Sequence, residues 1–264
     1  MNTPAPSGPR RVALVTGAAH RLGRATALHL AAHGWDVAIH CASSLEAAEH
    51  TAADCAKLAP EGRFDVFVAK LNDAAAVQRC FASVTQHFER VDAVINNASR
   101  FELDTALDIG AESFDAHLRT NTLAPVLLAQ ALAQHLKMRE AKGVVINLLD
   151  QKLHNLNPDF FSYTLSKAAL ECANTMLAQA LAPHVRVVGV APGLTLKSHM
   201  MSDQDFATLH QQAPLGQSSR PEDIVSAIDF ALNNPAITGT TLVVDGGQHL
   251  AALSRDFSLM TSGS

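Results

Sequence analysis

Short apolar runs alternate with longer segments in which apolar residues recur at helical spacing along almost the whole chain. The first run reads RVALVT and is followed, after a glycine-bearing turn, by Leu22, Leu28 and Ala32 on one helical face. Strands buried on both faces read as continuous apolar runs, whereas a helix packed on a sheet is apolar along one stripe. The pattern predicts strands at residues 11–16, 36–41, 64–69, 91–96, 144–149, 185–190 and 241–244.

Helices are expected between these strands. After the helix that follows the first turn, they are predicted at residues 44–58, 73–88, 111–138, about 161–181 and 221–232. The third of these is expected to bend at Pro125. Such alternation predicts an α/β fold with a doubly wound parallel sheet of about seven strands and helices on both faces. We expect one domain over 11–247, a disordered tail at 1–10, a second tail at 248–264, and an insert at 193–220 that covers a site.

Composition and charge narrow the class of partner. The formal net charge is −5 and Lys and Arg are scattered, so we expect no nucleic-acid partner. No apolar run approaches the length of a membrane helix, so no membrane is expected. A small molecule is the expected partner.

Cysteine and histidine usage indicate neither disulfides nor a metal site. The four cysteines are widely separated and show no CxxC spacing, which suits a reducing compartment. The first residues lack the apolar segment of a signal peptide, so we expect a cytoplasmic protein. Thirteen histidines supply one helical i, i+4 pair, His29 and His33, which we interpret as surface residues, and no metal site is predicted.

The turn after the first strand is the first candidate site. In open parallel sheets, ligands bind outside the carboxyl ends of the strands. The turn reads TGAAHRLG, with Gly17 and Gly23 six residues apart rather than in the spacing GxGxxG. Its backbone N–H groups could cradle phosphates at the helix N-terminus, and Arg21 adds a positive charge. A purely structural glycine turn is the alternative.

The end of the second strand indicates which dinucleotide would bind. NAD sites place an acid there for the ribose 2′-hydroxyl, yet the sequence continues His40, Cys41, Ala42, Ser43, Ser44. No carboxylate is present to repel a 2′-phosphate, so NADPH is favoured as the cofactor. Alternatively, Ser44 caps the next helix, a role compatible with cofactor binding.

The stretch from Asn147 to Lys167 carries candidate proton chemistry. Asp150 directly follows the fifth strand, and Tyr163, the only tyrosine, lies four residues before Lys167. Residues i and i+4 share a helix face, so the phenol and the ammonium are expected at one spot. A free tyrosine has a pKa of about 10, and a neighbouring cation favours the phenolate. We therefore predict that Lys167, with the oxidised nicotinamide as a second positive charge, lowers the pKa of Tyr163 and makes it a general acid.

From residue 11 to 247 the chain resembles the short-chain dehydrogenases/reductases, whose fold is Rossmann-like. The motifs that carry the resemblance are TGAAHRLG at 16–23, NNAS at 96–99, Asn121, the pair Tyr163-x-x-x-Lys167, and Pro192-Gly193. They occur in the family's order on the expected elements.

Within that family the chain is most similar to the pteridine reductases. They carry an Arg in the turn, as Arg21 does, and a Phe soon after NNAS, as Phe101 does. Most of the wider family has a Ser thirteen residues before the Tyr, where pteridine reductases and this chain have Asp, here Asp150. Lys70 departs from the acid that usually contacts adenine after the third strand, which leaves the backbone of Leu71 for that contact.

The resemblance implies roles for particular residues. The catalytic residues would be Asp150, Tyr163, Lys167 and Asn121, with Lys167 also holding the nicotinamide ribose and Asn121 a water that restores the proton. The cofactor would contact Gly17, Arg21, Leu22, Gly23, Ser43, Ser44, Leu71, Asn97, Ala98, Ser99, Lys167, Pro192 and Gly193. The substrate would contact Ser99, Phe101, Asp150, Tyr163 and Thr195. A homotetramer is also implied.

Asp150 and Phe101 narrow the substrate. An ionised carboxylate can only accept hydrogen bonds, which suits a ring rich in N–H donors better than a ketone oxygen. Phe101 is expected to stack such a ring against the nicotinamide. The alternatives are that Asp150 caps or pairs locally and that Phe101 covers the core. Met200, Met201 and Phe206 either line the substrate cover or anchor the insert.

Three functions therefore remain open. The first is NADPH-dependent reduction of a dihydropterin to a tetrahydropterin, with dihydrofolate as a further substrate. The second is reduction of another carbonyl compound, such as a 3-oxoacyl thioester or a sugar ketone, in which Asp150 is incidental. The third is a regulatory protein that senses NADPH, which would have no need of the proton donor. Whether the tail after Gly247 reaches a neighbouring subunit is left open by the sequence.

Overall fold

Seven strands form a single sheet in which every pairing is parallel. The structure is a computed structural model that describes residues 9–198 and 200–260. The strands are β1 (Arg11–Val15), β2 (Trp35–Cys41), β3 (Phe64–Val68), β4 (Ala93–Asn96), β5 (Gly143–Leu148), β6 (Val185–Pro192) and β7 (Thr241–Val244). Their order across the sheet is β3-β2-β1-β4-β5-β6-β7. The predicted doubly wound parallel fold is confirmed.

Helices cover both faces of the sheet. They are α1 (Arg21–Ala32), α2 (Leu45–Leu58), α3 (Ala74–Phe88), α4 (Ala111–Leu118), α5 (Ala124–Met138), α6 (Phe161–Leu181), α7 (Asp203–Gln211) and α8 (Pro221–Asn233). Strand β1 contributes side chains to the packing on both faces of the sheet. Ala13 and Val15 pack under α1, α2 and α8, whereas Val12 and Leu14 pack under α3 and α5, because successive side chains of a strand point to opposite faces.

The long helix predicted at 111–138 is interrupted in its middle. A π-helical turn at Arg119–Leu123 separates α4 from α5, and Pro125 lies in the first turn of α5. Proline has no N–H, so Pro125 cannot donate to the carbonyl of Asn121 four residues earlier. π-Helical turns of this kind are frequent at functional sites, and this one contains Asn121.

Described residues at the inner ends of the two predicted tails contact the domain. Arg10 donates to Asp36 at 2.7 Å and to the backbone carbonyl of Trp35, so the disordered tail predicted at 1–10 does not include it; residues 1–8 lie outside the described residues. The domain also continues beyond the predicted boundary at residue 247. Residues 248–260 pack on it and bury Phe257, whereas residues 261–264 are not described.

Inside the insert, the methionine pair divides. Met201 is buried and packs with Leu209 and Phe257, and Phe206 is partly buried beside them, whereas Met200 is exposed. Met201 and Phe206 therefore fit the second interpretation, in which these side chains anchor the insert. The cluster also joins the insert to the C-terminal segment.

A chain of buried amides ties the centre of the sheet to α6. The Asn96 side chain donates to Asn147 at 2.8 Å, Asn147 donates to Asn174 at 3.1 Å, and Asn174 donates to the backbone carbonyl of Thr240 at 3.4 Å. The three asparagines are at most 3% exposed. Buried polar groups are costly unless they are paired, so this chain fixes the position of α6 against β4 and β5.

We expect Asn147→Ala to destabilise the protein by about 2–4 kcal/mol, because it leaves a donor on Asn96 and an acceptor on Asn174 unpaired in the core. Urea unfolding followed by circular dichroism would measure this. The control is Asn233→Ala at the exposed end of α8, expected to cost below ~0.5 kcal/mol. Equal midpoints for the two variants would contradict the structural importance of the amide chain.

Candidate active site

A cavity of about 860 Å³ opens at the carboxyl edge of the sheet. The predicted residues that line it are Gly17, Arg21, Leu22, Leu71, Asn97, Ala98, Ser99, Phe101, Asp150, Tyr163, Lys167, Pro192, Gly193 and Thr195. Gly23, Ser43, Ser44 and Asn121 do not line it. The parallel sheet thus brings residues from five loops together, as the position of ligand sites in such sheets requires.

The glycine turn before α1 has its shape for a steric reason. Gly17 has a φ of +64°, which favours glycine, and Gly23 lies directly behind it. A Cβ on Gly23 would lie 2.2 Å from the Gly17 carbonyl oxygen. The Asn97 side chain donates to that same carbonyl at 3.1 Å. Gly23 therefore shapes the turn from behind, and Gly17 forms its surface.

His40 holds the turn from below and was not predicted as a site residue. Its Nδ1 accepts from the Gly17 N–H at 3.2 Å, and its Nε2 donates to the Ala69 carbonyl at 3.0 Å. Burial lowers the pKa of His40, so the ring is neutral and suited to one donor and one acceptor role. The one signal in the sequence was a histidine next to the carboxyl end of a largely apolar strand.

The end of β2 differs from the prediction in detail. Ser43 and Ser44 are exposed outside the cavity lining, and the Ser44 side chain does not cap α2. Ala42, Lys70 and Asn72 line the cavity at this end instead. The two carboxylates of the described lining, Asp150 and Asp256, belong to the opposite end. The cofactor end therefore retains the basic, acid-free character that the sequence predicted.

Arg21 joins the turn to the insert. Its backbone is left-handed, with a φ of 52°, and its exposed guanidinium donates to the carbonyls of Lys197 at 2.9 Å and Leu196 at 3.3 Å. The side chain thus stands at the boundary between the predicted cofactor turn and the predicted cover. A bound phosphate would be a competing acceptor for the same donors.

Tyr163 and Asp150 form the central contact of the site. The phenol donates to Asp150 Oδ2 at 2.7 Å, and the backbone N–H of Lys152 donates to Asp150 Oδ1 at 2.8 Å. Burial raises the pKa of Asp150, which favours its protonated form. Burial and the neighbouring Asp150 raise the pKa of Tyr163 well above its ordinary value.

The expected effect of Lys167 on Tyr163 is wrong for this geometry. The Lys167 ammonium donates to the Leu148 carbonyl at 2.6 Å and lies 5.8 Å from the centre of the Tyr163 ring. Burial lowers the pKa of Lys167 to about 8. Because the phenol is hydrogen-bonded to a carboxylate and removed from water, the phenolate is disfavoured despite the lysine one turn away. Tyr163 alone is therefore a weak acid in this environment.

Asn121 is fully occupied by protein contacts. Its amide nitrogen donates to the Arg100 carbonyl and to Ser166, each at 2.9 Å, and its oxygen accepts from the Arg100 N–H and Ser99. A side-chain amide has two donor hydrogens and two acceptor positions, and all four are used. The predicted water could therefore be held only by the Asn121 backbone carbonyl, which Pro125 leaves without its usual helical donor.

Aromatic rings surround the phenol. Phe101 stacks on Phe160 with ring centres 4.1 Å apart and meets Tyr163 edge-on at 4.7 Å. One face of Phe101 is therefore covered by the protein, and a substrate ring could use only the other face or the edge. Phe101 therefore packs against the protein as the first alternative expects, and its role as a ligand platform stays a prediction. Nearby, the Thr195 hydroxyl pairs with Ser219 at 2.7 Å.

Asp104 positions the start of α6 and was also missed. Its carboxylate accepts from the backbone N–H of Ser162 at 2.9 Å and from the Ser162 hydroxyl. Phe160, the residue before α6, has a left-handed backbone with a φ of 52°, and its side chain does not cap the helix. A carboxylate at a helix N-terminus satisfies free N–H groups and suits the helix dipole. Asp104 lies 58 residues earlier in the chain, so local capping signals could not identify it.

In residues 9–198 and 200–260, no three His, Cys, Asp or Glu side chains are grouped so that they could hold a metal ion. No helix in the same ranges has the length and apolar character to cross a membrane.

Comparisons with known proteins agree with this geometry. A family model described as short chain dehydrogenase matches residues 11–207, so the resemblance to that family is confirmed. The structure of FolM alternative dihydrofolate reductase 1 from Brucella canis, complexed with NADP, matches with a TM-score of 0.85 and 36% identity, covering 91% of this chain and 95% of that one.

Two curated relatives have other named activities. The 3-oxoacyl-[acyl-carrier-protein] reductase of Synechocystis is 31% identical over 241 residues, covering 90% of this chain and 96% of the relative. L-xylulose reductase of Mesocricetus auratus is 32% identical over 247 residues, with coverage of 90% and 96%. Relatives at similar identity thus differ in the substrate that they are named for.

Gly23→Ala is expected to weaken binding of the predicted cofactor, NADPH, by at least roughly tenfold, because the added Cβ would push the Gly17 carbonyl out of place. Fluorescence titration would measure the affinity. Gly110→Ala is the matched control, since a Cβ there meets nothing within 4 Å. Unchanged NADPH affinity in Gly23→Ala would rule out this turn as the phosphate cradle.

Proposed function

The chain belongs to the short-chain dehydrogenase family, and on this basis we propose that it is an NADPH-dependent reductase that converts a dihydropterin to a tetrahydropterin, with dihydrofolate as a further substrate. The observation that carries the proposal is the 2.7 Å hydrogen bond between Tyr163 and Asp150 at the end of the cavity away from the basic turn. A carboxylate in this position distinguishes the site from one built for a simple ketone.

The residues of the cavity fit NADPH. The left-handed Gly17 turn leads into the N-terminus of α1, where the first helical N–H groups have no acceptor within the helix, and Arg21 and Lys70 supply positive charge at the end that lacks acids. The NADP complex of the Brucella canis protein supports the same cofactor. When bound, NADPH supplies the hydride. Lys167, reaching the cavity from α6, would hold the ribose, and Asn97 keeps the turn in shape through its bond to Gly17.

The proton is best delivered by Asp150 and Tyr163 acting together. A buried phenolate beside a carboxylate is unfavourable, so Tyr163 should not release its proton alone. If Asp150 carries a proton, it can pass it to the Tyr163 oxygen while that oxygen gives its own proton to a substrate nitrogen. No phenolate accumulates in such a relay. The raised pKa of Asp150 favours this protonated state.

Substrate preference follows from the same carboxylate. In its ionised form Asp150 accepts hydrogen bonds, and a pterin ring offers N–H donors to meet it. In its protonated form it supplies the proton that the reduced ring nitrogen needs. A ketone oxygen gains only from the second form. Phe101, whose remaining face borders the cavity, offers the ring an aromatic surface.

A second candidate is reduction of a carbonyl compound of the 3-oxoacyl or sugar type. The two relatives named for such substrates, at 31% and 32% identity, favour it. In that case Asp150 would act only as a hydrogen-bonded support for Tyr163. The non-enzyme alternative, an NADPH sensor, would have no need of a proton donor such as Tyr163 paired with Asp150.

We further propose a cytoplasmic homotetramer. The exposed Leu165 and Met176 on α6 give an apolar surface of the kind that subunit contacts cover. The four cysteines are free, with Cys172 exposed, as suits a reducing compartment.

Following NADPH absorbance with dihydrobiopterin, dihydrofolate and a panel of ketones would test the function directly. We expect turnover of the pterin and its loss by roughly a hundredfold or more in Asp150→Ser and in Tyr163→Phe, because each breaks the relay. Asp115→Ser, a change at an exposed acid on α4, is the control. Turnover of ketones without pterin turnover would sink the pterin assignment and favour the second candidate.

The pH profile provides a separate prediction. Burial lowers the pKa of Lys167 to about 8, so the ammonium that should hold the ribose is lost as pH rises through that value, and kcat/KM should fall there. In the residual activity of Asp150→Asn, which removes the carboxyl of the relay, the decline should persist and move to lower pH, because the charge of Asp150 raises the pKa of Lys167. If kcat/KM stays flat through the range where an exposed lysine remains protonated, charged Lys167 is not required.

A further inference from the structure

The C-terminal segment, defined as residues 251–260, forms part of the wall of the active-site cavity. Asp256, Phe257 and Ser258 line the same cavity as Asp150 and Tyr163. The segment belongs to the same chain as the relay. It stands at the acidic end of the cavity, where the substrate is expected under the proposed function.

Lys152 anchors this segment from inside the protein. The side chain is 2% exposed, and its ammonium donates to Asp256 Oδ2 at 3.0 Å and to the Asp159 carbonyl at 2.5 Å. It also lies 5.4 Å from the centre of the Phe160 ring, within the range of a cation–π contact. Burying a lysine without a charged partner costs free energy. The ion pair with Asp256 therefore holds the C-terminal segment against Lys152.

Asp256 serves as an anchor rather than as a substrate ligand. Its second carboxylate oxygen accepts from the Ser258 N–H at 2.9 Å, and its own N–H donates to Asp159 Oδ2 at 2.8 Å. Arg255 reaches the same Asp159 oxygen at 2.7 Å. With both carboxylate oxygens engaged, Asp256 holds the segment in place, and Phe257 and Ser258 continue the cavity lining beside it.

Phe257 extends the wall to the insert. It is 9% exposed and packs with Met201 and Leu209. The cover over the substrate end therefore has two parts, the insert and the C-terminal segment, joined by an apolar cluster. A shift of one part would disturb the other, because packed clusters transmit displacement.

The same residue also holds the relay. The backbone N–H of Lys152 donates to Asp150 Oδ1, while its ammonium holds Asp256. Lys152 lies in the short 3-10 turn Gln151–His154. Through its two contacts it sets the distance between the Asp150 carboxylate and the C-terminal segment. The substrate ring must fit between these two fixed points.

We propose that the C-terminal segment is the wall that limits substrate size at this site and that Lys152 is the positioning residue that holds it in place. The proposal rests on the proposed function for its substrate class, a compact dihydropterin over the more extended dihydrofolate. The position of the wall itself rests only on the contacts of Lys152, Asp256 and Phe257.

Lys152→Met tests the proposal with two independent readouts. The first is trypsin cleavage after Arg255, followed by mass spectrometry, and it requires no substrate. Because the Asp256 N–H is hydrogen-bonded in the folded protein, cleavage needs the segment to open. We expect cleavage to accelerate by roughly tenfold or more in the variant, since the anchoring ion pair is gone.

The second readout is kinetic. KM for dihydrobiopterin should rise roughly tenfold while KM for NADPH stays unchanged, and the ratio of kcat/KM values should move toward dihydrofolate. A merely structural role for Lys152 would change the two KM values together. Asp256→Asn keeps the shape of the side chain without its charge and should produce smaller changes in the same direction. It carries the test if Lys152→Met does not fold.

Arg139→Met is the matched control, because it removes an ion pair with Asp92 away from the cavity and should leave both readouts unchanged. Unaltered cleavage after Arg255 in both test variants overturns the proposal. Faster cleavage with no change in KM or substrate preference also overturns it as a size-limiting wall. If the protein reduces no pterin at all, the proposed function fails, while the cleavage readout still decides whether Lys152 holds the segment.

Discussion

All seven strands run in the same direction, and the site depends on this constraint more than on any single contact. Parallel strands present their carboxyl ends at one edge, so the residue that follows each strand enters a common space. Gly17 follows β1, Asn97 follows β4 and Asp150 follows β5 within two residues of the strand end. The connecting helices bury both faces of the sheet. The edge is therefore left as the place where polar chemistry can be assembled.

The electrostatics of that edge depart from the simple picture of a tyrosine activated by a lysine. Asp150 takes the hydrogen bond of Tyr163, and burial shifts the pKa values of both groups upward. The proton is thereby retained by the pair, which acts as one unit. The pKa of Lys167 shifts downward instead, as expected for a cation removed from water. Burial thus biases Asp150 and Tyr163 toward their protonated forms.

The sequence was sufficient for the fold and for the residues that lie near each other in the chain. Apolar periodicity located the strands, and the helix predicted from residue 73 does start there, with Asp73 as its N-cap. The spacing of Tyr163 and Lys167 correctly indicated a shared helix face. Contacts between distant segments were not accessible, because a carboxylate such as Asp104 carries no local signal of the helix that it caps 58 residues later.

Residue types alone also could not predict properties that depend on how deeply a side chain is buried. The direction of the Tyr163 pKa depends on how deeply the phenol and Asp150 are buried, and residue types alone do not give this. Ser43 and Ser44 at the end of β2 are exposed and lie outside the cavity lining, and their contact with the cofactor stays a prediction.

The burial of Phe257 has a practical consequence for handling the protein. This ring lies in the cavity wall only a few residues before the end of the chain. A truncation that removed Phe257 would take away a packing partner of Met201 and Leu209 as well as part of the cavity wall. Purification through an N-terminal tag would leave this segment unaltered during kinetic work and crystallisation.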